Sequence, residues 1–238
     1  MIELHFVPTP NGNKASIMLE EVGLPYEIKL YDLTGDEHLQ PAFRKINPNA
    51  RLPAIVDHDP ADGGAPFAVM ETGAILEYLA EKSGKLLPTD MRRRSLARQW
   101  LAWQISGFGP YHGQAHHFIR YAPEGQDYGI KRYRAEAERL LYVLNRRLGE
   151  AEYLAEDYSI ADIATWPWVR ATRAIEMPLD PFPNIQRWFA AIAERPAVVR
   201  GTSVTNTANL SSLRPVLSPE QWSNLFGDKL HATARADG

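Results

Sequence analysis

The 238-residue chain contains no cysteine. That excludes disulfide cross-links and thiolate metal ligands, denies the protein a thiol nucleophile of its own, and removes one mark of an oxidising compartment. It also lacks a basic excess. Its 26 Lys and Arg face 29 Asp and Glu, for a formal charge of −3, so nothing is available to neutralise a phosphate backbone. No apolar run is long enough to span a bilayer, and Met1-Ile2-Glu3-Leu4-His5 has neither the charged nor the apolar region of a secretory leader. The expectation is a cytoplasmic protein with neither nucleic acid nor membrane as partner. Arg92-Arg93-Arg94, the densest basic run, reads as a solvated face at the start of a helix, with a small anion-binding patch as the alternative.

What is present is ordinary globular material: 45% hydrophobic and 23% charged residues, in a length that allows one or two domains. Ile2, Leu4 and Phe6 alternate with Glu3 and His5 as a strand, and a helix from about Asn11 to Glu21 closes at Gly23. A second strand covers Tyr26 to Tyr31, and proline opens a short helix over Pro41 to Ile46. Ala54-Ile55-Val56 and Phe67-Ala68-Val69-Met70 flank Asp62-Gly63-Gly64 as a hairpin, and a helix over Thr72 to Lys82 completes the order βαβ-α-ββα. Ser83 to Pro88 has linker composition. Beyond it the pattern is helical. One long stretch from Asp90 to Ile119 bends at Gly107-Phe108-Gly109-Pro110, an amphipathic helix covers Tyr128 to Leu148, a capping-box start stands at Ser159 to Asp162, and a helix from about Asn184 stops near Pro196. The remainder is polar and irregular, except for Pro219 to Phe226, which can dock as a short helix. The division expected is an α/β domain over 1–83, a linker over 84–90, an all-helical domain over 91–205 and a tail over 206–238.

The turn Pro8-Thr9-Pro10-Asn11-Gly12 sets a polar cluster at the positive end of a helix, where free N–H groups and the helix dipole favour an anion. Asn11 can donate an amide N–H there or simply cap the helix; Thr9 can donate a hydroxyl. If this turn handles a thiol, the thiol must arrive with a ligand. His112, His116 and His117 include an i, i+4 pair, but no carboxylate stands in helical register, so no metal is expected. With Trp103, Tyr111 and Phe118 they read instead as the wall of a pocket for a second substrate. Trp166-Pro167-Trp168 reads as core packing, with pocket lining as the alternative, and Ser159 and Asp162 as a buried cap without catalytic duty.

Two segments, Asn47-Pro48-Asn49-Ala50-Arg51-Leu52-Pro53-Ala54-Ile55-Val56-Asp57 and Glu71-Thr72-Gly73-Ala74-Ile75-Leu76-Glu77-Tyr78-Leu79, together with Ser159-Ile160-Ala161-Asp162-Ile163-Ala164, resemble the glutathione transferase family. Phe6 to Gly12, Asp57 to Gly64 and Gly113 to Phe118 are similar to its bacterial Nu class, itself similar to the yeast nitrogen-regulator prion protein. The resemblance spans nearly the whole chain apart from the tail. It implies a thioredoxin-like N-terminal domain, an all-helical C-terminal domain, a cytoplasmic homodimer, and glutathione-dependent disulfide-bond reduction with one or two glutathione molecules per subunit.

On that resemblance, Leu52-Pro53 is the family's cis-proline, whose preceding backbone pairs strand-like with glutathione, and Glu71 and Thr72 hold the ammonium and carboxylate of its γ-glutamyl end. Thr72 can cap its helix at the same time. His38 stands where relatives carry a glutamine that contacts glutathione; it either donates to the glycyl carboxylate or is a lone surface histidine. Arg132 either reaches the neighbouring subunit's glutathione or pairs with a glutamate on its own helix. Thr9 and Asn11 are the candidates for activating the glutathione thiol, since no tyrosine, serine or cysteine stands in the turn. Ser16 lies inside the helix, and Tyr26 and Tyr31 fall on the next strand. One glutathione would attack a small-molecule disulfide and a second would complete the exchange, leaving as oxidised glutathione. Conjugation of glutathione to an electrophile is the alternative within enzymes, and a non-catalytic glutathione-binding regulator the alternative outside them.

Overall fold

The computed structural model describes residues 1–204 and 215–235. Strand β1 (Ile2–Phe6) buries Ile2, Leu4 and Phe6 on one face. Its other face buries His5, whose Nδ1 meets the Tyr31 hydroxyl at 2.8 Å. Helix α1 (Pro10–Val22) follows and ends at Gly23, which takes φ 75° as its left-handed cap. Strand β2 (Tyr26–Leu30) runs parallel to β1, β3 (Ala54–Asp57) antiparallel to β1, and β4 (Phe67–Met70) antiparallel to β3. The resulting order β2-β1-β3-β4 is a thioredoxin-like mixed sheet. A 3-10 turn (Glu37–Leu39), the short helix α2 (Pro41–Arg44) and helix α3 (Thr72–Ser83) complete this part.

The helical part contains α4 (Met91–Trp103), α5 (Gly109–Arg120), α6 (Asp127–Glu150), α7 (Ile160–Ala171), α8 (Pro183–Ala193) and α9 (Pro196–Thr202). The expected bend between α4 and α5 is a π-turn over Gln104–Phe108. Pro110 has no N–H to offer the preceding turn, and the wider turn absorbs that loss while carrying Gln104 fully inside. Arg93 pairs with Asp157, and Arg94 with Glu81 at 2.6 Å, so two of the three arginines of the basic run are ion-paired on the outer side of α4.

Two expectations fail in the C-terminal stretch. Pro196 stops α8 but also opens α9, because proline at a first-turn position gives up an N–H that has no intrahelical partner anyway. The tail is not irregular beyond its first short helix: α10 (Pro219–Leu225) is followed by α11 (Asp228–Arg235), which buries none of its residues. The expected boundary at 205 and 206 lies outside the described residues. Asn224 Nδ2 donates to the Thr34 carbonyl at 2.9 Å and Lys229 pairs with Asp36 at 2.8 Å, while Phe226 packs against His117 and Tyr121 with ring centroids 4.7 and 5.3 Å apart. The tail thereby ties the loop after β2 to the end of α5.

The main apolar core runs from Ile2, Leu4 and Phe6 through α1 and α3 into Leu101, Leu141, Ile163, Trp188 and Val198, with a smaller cluster of Val7, Tyr31, Phe43 and Ala54 on the other face of the sheet. The two parts meet along α1. A Cβ on Gly201 of α9 would lie 2.6 Å from the Ile17 Cα, so glycine is what lets these helices touch. Ser16 Oγ donates to the Gly201 carbonyl at 2.6 Å, and Arg195 grips Glu21 with two bonds of 2.7 and 2.9 Å.

Asp162 anchors α7 through the expected capping box, with Ser159 as the cap. Its carboxylate accepts from the N–H groups of Leu154 and Ser159, the Ser159 hydroxyl and the Trp188 indole at 2.8 to 3.2 Å. Burial raises its pKa to about 6 against the pull of those donors. Asp162→Ala strands several buried donors at once, so urea denaturation should show a loss of about 2–4 kcal/mol with the slope unchanged.

Candidate functional site

The site begins where β1 turns into α1. Gly12 is required there, because a Cβ would stand 2.0 Å from the Val7 carbonyl oxygen. Thr9 is the helix cap: its hydroxyl oxygen accepts from the Gly12 N–H at 3.1 Å, which leaves its own O–H free to donate. Asn11 therefore does not cap α1 but sits inside the first turn. Its Oδ1 accepts from the Trp168 indole N–H at 2.9 Å. An indole can only donate, so it fixes which end of the Asn11 amide faces it, and the two Nδ2 hydrogens are presented on the other side. Trp168 thus packs in the core and also orients Asn11.

One turn along the same helix, Lys14 is 2% exposed. Its Nζ donates to Gln104 Oε1 at 2.7 Å and to Thr72 Oγ1 at 3.3 Å, joining α1, the π-turn and the head of α3. Burial lowers its pKa from 10.5 to about 7, with Glu71 pulling the other way. The sequence reading missed this residue, although a signal existed. Lys14 stands three and four positions before the inward-facing Ile17 and Met18, on the same helical stripe.

Leu52-Pro53 is cis and lies just ahead of β3. The loop leading to it is shaped by buried Asn47, which donates to the Arg51 carbonyl at 2.7 Å and accepts from the Asn49 N–H at 2.9 Å. Across from it, α3 begins at Thr72, and the cap position belongs to Glu71, not to Thr72 as a capping role would require. Glu71 takes φ 65°, a left-handed conformation unusual for a non-glycine residue and typical of functional turns. Its carboxylate accepts from Asn49 Nδ2 at 3.4 Å, linking the two loops.

His38 is buried, with Nδ1 unpaired, and burial together with the nearby Arg51 charge holds its pKa low. It is therefore not a lone surface histidine. Arg132 projects from α6 and pairs with Glu136 at 3.6 Å, beside a groove lined by Phe118, Gly129 and Tyr133. The four pocket candidates divide into three places. Tyr111 and Phe118 pack on Tyr133 with centroids 6.3 and 5.1 Å apart, Trp103 packs with Trp100 and Phe108, and His116 stands edge-on to Trp168. Both ring nitrogens of His116 face carbonyl oxygens, of His112 and Ala171, and no metal-binding group of side chains occurs among the described residues.

Comparison with known proteins gives this arrangement a setting. Residues 1–81 match the model of the glutathione S-transferase N-terminal domain, and residues 127–191 that of the C-terminal domain. The chain is 48% identical over 198 residues to the disulfide-bond oxidoreductase YfcG of Escherichia coli K12, covering 83% of this chain and 92% of that protein. A glutathione transferase from Burkholderia graminis, crystallised with two glutathione molecules per subunit, superposes with a TM-score of 0.81 at 45% identity, over 87% of this chain and 89% of its own. One from Pseudomonas putida, with one glutathione disulfide per subunit, does so with a TM-score of 0.81 at 42% identity, over 86% and 92%. A helix head with an oriented amide, a cis-proline loop and an acidic turn facing it are thus set in a two-part fold whose sequence matches both family models: the chain belongs to the glutathione S-transferase family of enzymes.

Proposed function

We propose that this protein is a glutathione-dependent disulfide-bond reductase that uses the thiolate of bound glutathione in place of a protein cysteine. The observation that carries this reading is the Asn11 amide, held at its oxygen by Trp168 so that its N–H groups face outward at the positive end of α1, in a chain without cysteine. The overall exchange balances as two glutathione thiols plus one disulfide giving one glutathione disulfide plus two substrate thiols.

The chain's residues divide the work by location. The backbone of Leu52, set by Pro53, pairs with the cysteinyl segment of glutathione. Thr72 and the free N–H groups at the head of α3 receive the γ-glutamyl carboxylate, while Glu71 faces the ammonium. His38 serves the glycyl end. Thr9 and Asn11 stabilise the thiolate as it forms and, when it returns as a leaving group, as it departs. The small-molecule disulfide sits towards Tyr111 and Phe118, with Trp103 and His116 behind. Arg132 reaches the glutathione of the partner subunit in a cytoplasmic homodimer. Exposed Phe67, Met70 and Met91 offer the apolar surface such a dimer needs, beside a polar groove along α4 lined by Arg94, Arg98 and Gln99. The half-buried aromatic wall of Tyr111, Phe118 and Tyr133 also suits a planar electrophile, so conjugation is the second reading.

The decisive assay is reduction of 2-hydroxyethyl disulfide by glutathione. Turnover well above the uncatalysed rate is expected, and turnover confined to a chlorinated nitroarene would give the site to conjugation. Asn11→Ala should lower kcat roughly a hundredfold with KM for glutathione within about threefold, because the amide acts on charge that develops during exchange. Its stability should fall by about 1–3 kcal/mol, through the Trp168 indole N–H left without its acceptor and not through a lost cap, since Thr9 is the cap. Trp168→Phe keeps the packing but frees the amide to rotate, and steady-state kinetics should show a kcat loss of about tenfold. Phe67→Glu should yield a monomer by light scattering.

A further inference from the structure

Lys14 has no part in the roles above, yet a buried ammonium is costly unless it serves something. It lies at the joint between α1, the π-turn and α3, under the Thr72 hydroxyl assigned to the γ-glutamyl carboxylate. With Lys14 donating to Thr72 Oγ1, that oxygen is engaged from the inside and its own hydrogen points away from Nζ. A carboxylate oxygen accepting from the hydroxyl at about 2.7 Å would then lie within about 6 Å of Nζ, in a joint with little water to screen the pair.

We propose that Lys14 is the positioning residue for the γ-glutamyl end of glutathione: it aims the Thr72 hydroxyl and supplies a buried positive charge opposite the carboxylate, so that ligand binding and protonation of Lys14 are one coupled event. This rests on the glutathione-binding reading above. Charge on the surrounding elements agrees with it. Glu71, at the head of α3, acts on Lys14 to favour its charged form. The π-turn and α7 offer the neutral Gln104 and Trp168. Asp162 of α7 is held by its own donors, and His5 of β1 by Glu3 and Tyr31. His112 of α5 is held neutral by burial, its pKa lowered to about 4. Glu20 and Glu21, nearly two turns further along α1, are paired with Arg200 of α9 and with Arg195 just ahead of it. In the free protein, burial leaves Lys14 largely neutral at pH 8, since its pKa is about 7. A bound carboxylate raises that value, and a proton is taken up.

The probe is S-methylglutathione, which has no thiol to ionise, titrated calorimetrically into the full chain in buffers of different ionisation enthalpy. At pH 8 the wild type should take up more than half a proton per site, and at pH 6 close to none. Lys14→Met should bind about tenfold or more weakly at pH 6, with no uptake there and, at pH 8, only the smaller uptake of the ligand's own α-amino group as Glu71 receives it. Thr72→Val should also weaken binding, and adding Lys14→Met to it should cost little more, because the two act as one unit. Thermal melting separates this from a folding defect: Lys14→Met, which leaves Gln104 Oε1 without its donor, should melt a few degrees below wild type at pH 6 but still in one cooperative transition. If Lys14→Met does not fold, Thr72→Val alone decides, by losing most of the proton uptake. Undiminished affinity or undiminished uptake in a folded Lys14→Met protein overturns the role of Lys14 alone. No binding of S-methylglutathione to the wild type overturns the glutathione reading itself.

Discussion

The hydrogen bond from the Trp168 indole to Asn11 Oδ1 is the contact on which the rest of the site depends. It decides which end of an amide faces the ligand, and so whether the head of α1 offers donors or an acceptor. The bond exists only because α7 can lie close to the first turn of α1. Glycines let the neighbouring helices close around it: a Cβ on Gly201 of α9 would strike Ile17 of α1, and one on Gly109 at the head of α5 would stand 2.8 Å from Gln104 Nε2 and 3.6 Å from the Trp168 indole nitrogen. The packing of the helical part on α1 is therefore also what aims the chemistry.

A site without a cysteine, tyrosine or serine activator must lower a thiol pKa by several small effects. An ordinary cysteine thiol titrates near 8.5, and one pKa unit corresponds to about 1.4 kcal/mol. A helix terminus supplies about 0.3–1 kcal/mol, and each hydrogen bond to a charged acceptor about 1.5–3 kcal/mol net of the water it replaces. Under the proposed mechanism, Thr9 and Asn11 at the head of α1 would be enough, on those magnitudes, to bring a bound thiol towards neutrality, with no single side chain carrying the shift.

The parts of the molecule legible in the sequence are those written in local periodicity and turn chemistry. Alternating Ile2, Leu4 and Phe6 marked β1, the stripe from Ala137 to Leu148 marked α6, and Gly23 marked the end of α1 within a residue or two. The capping box at Ser159 was equally plain. What escaped depended on distance or on mixed signals. The partner of Asn11 lies 157 residues away, so nothing local to the turn decides between capping and donating to a ligand. Lys14 is a charged residue on an apolar stripe, and its charge outweighed its position. Proline at 196 ends one helix and begins another with the same physics. Helix α11 is held by an ion pair, hydrogen bonds and its neighbour's aromatic contacts, none of which leaves a periodic trace.

The central claim is that Asn11, aimed by Trp168, stabilises the thiolate of a bound glutathione. The direct measurement is the ultraviolet absorbance of that thiolate as pH is varied, with glutathione held saturating on the wild type and on Asn11→Ala. The account predicts that the bound thiol titrates clearly below its free value on the wild type and moves back towards that value when the amide is removed. A bound thiol that titrates at the same pH on both proteins would contradict it.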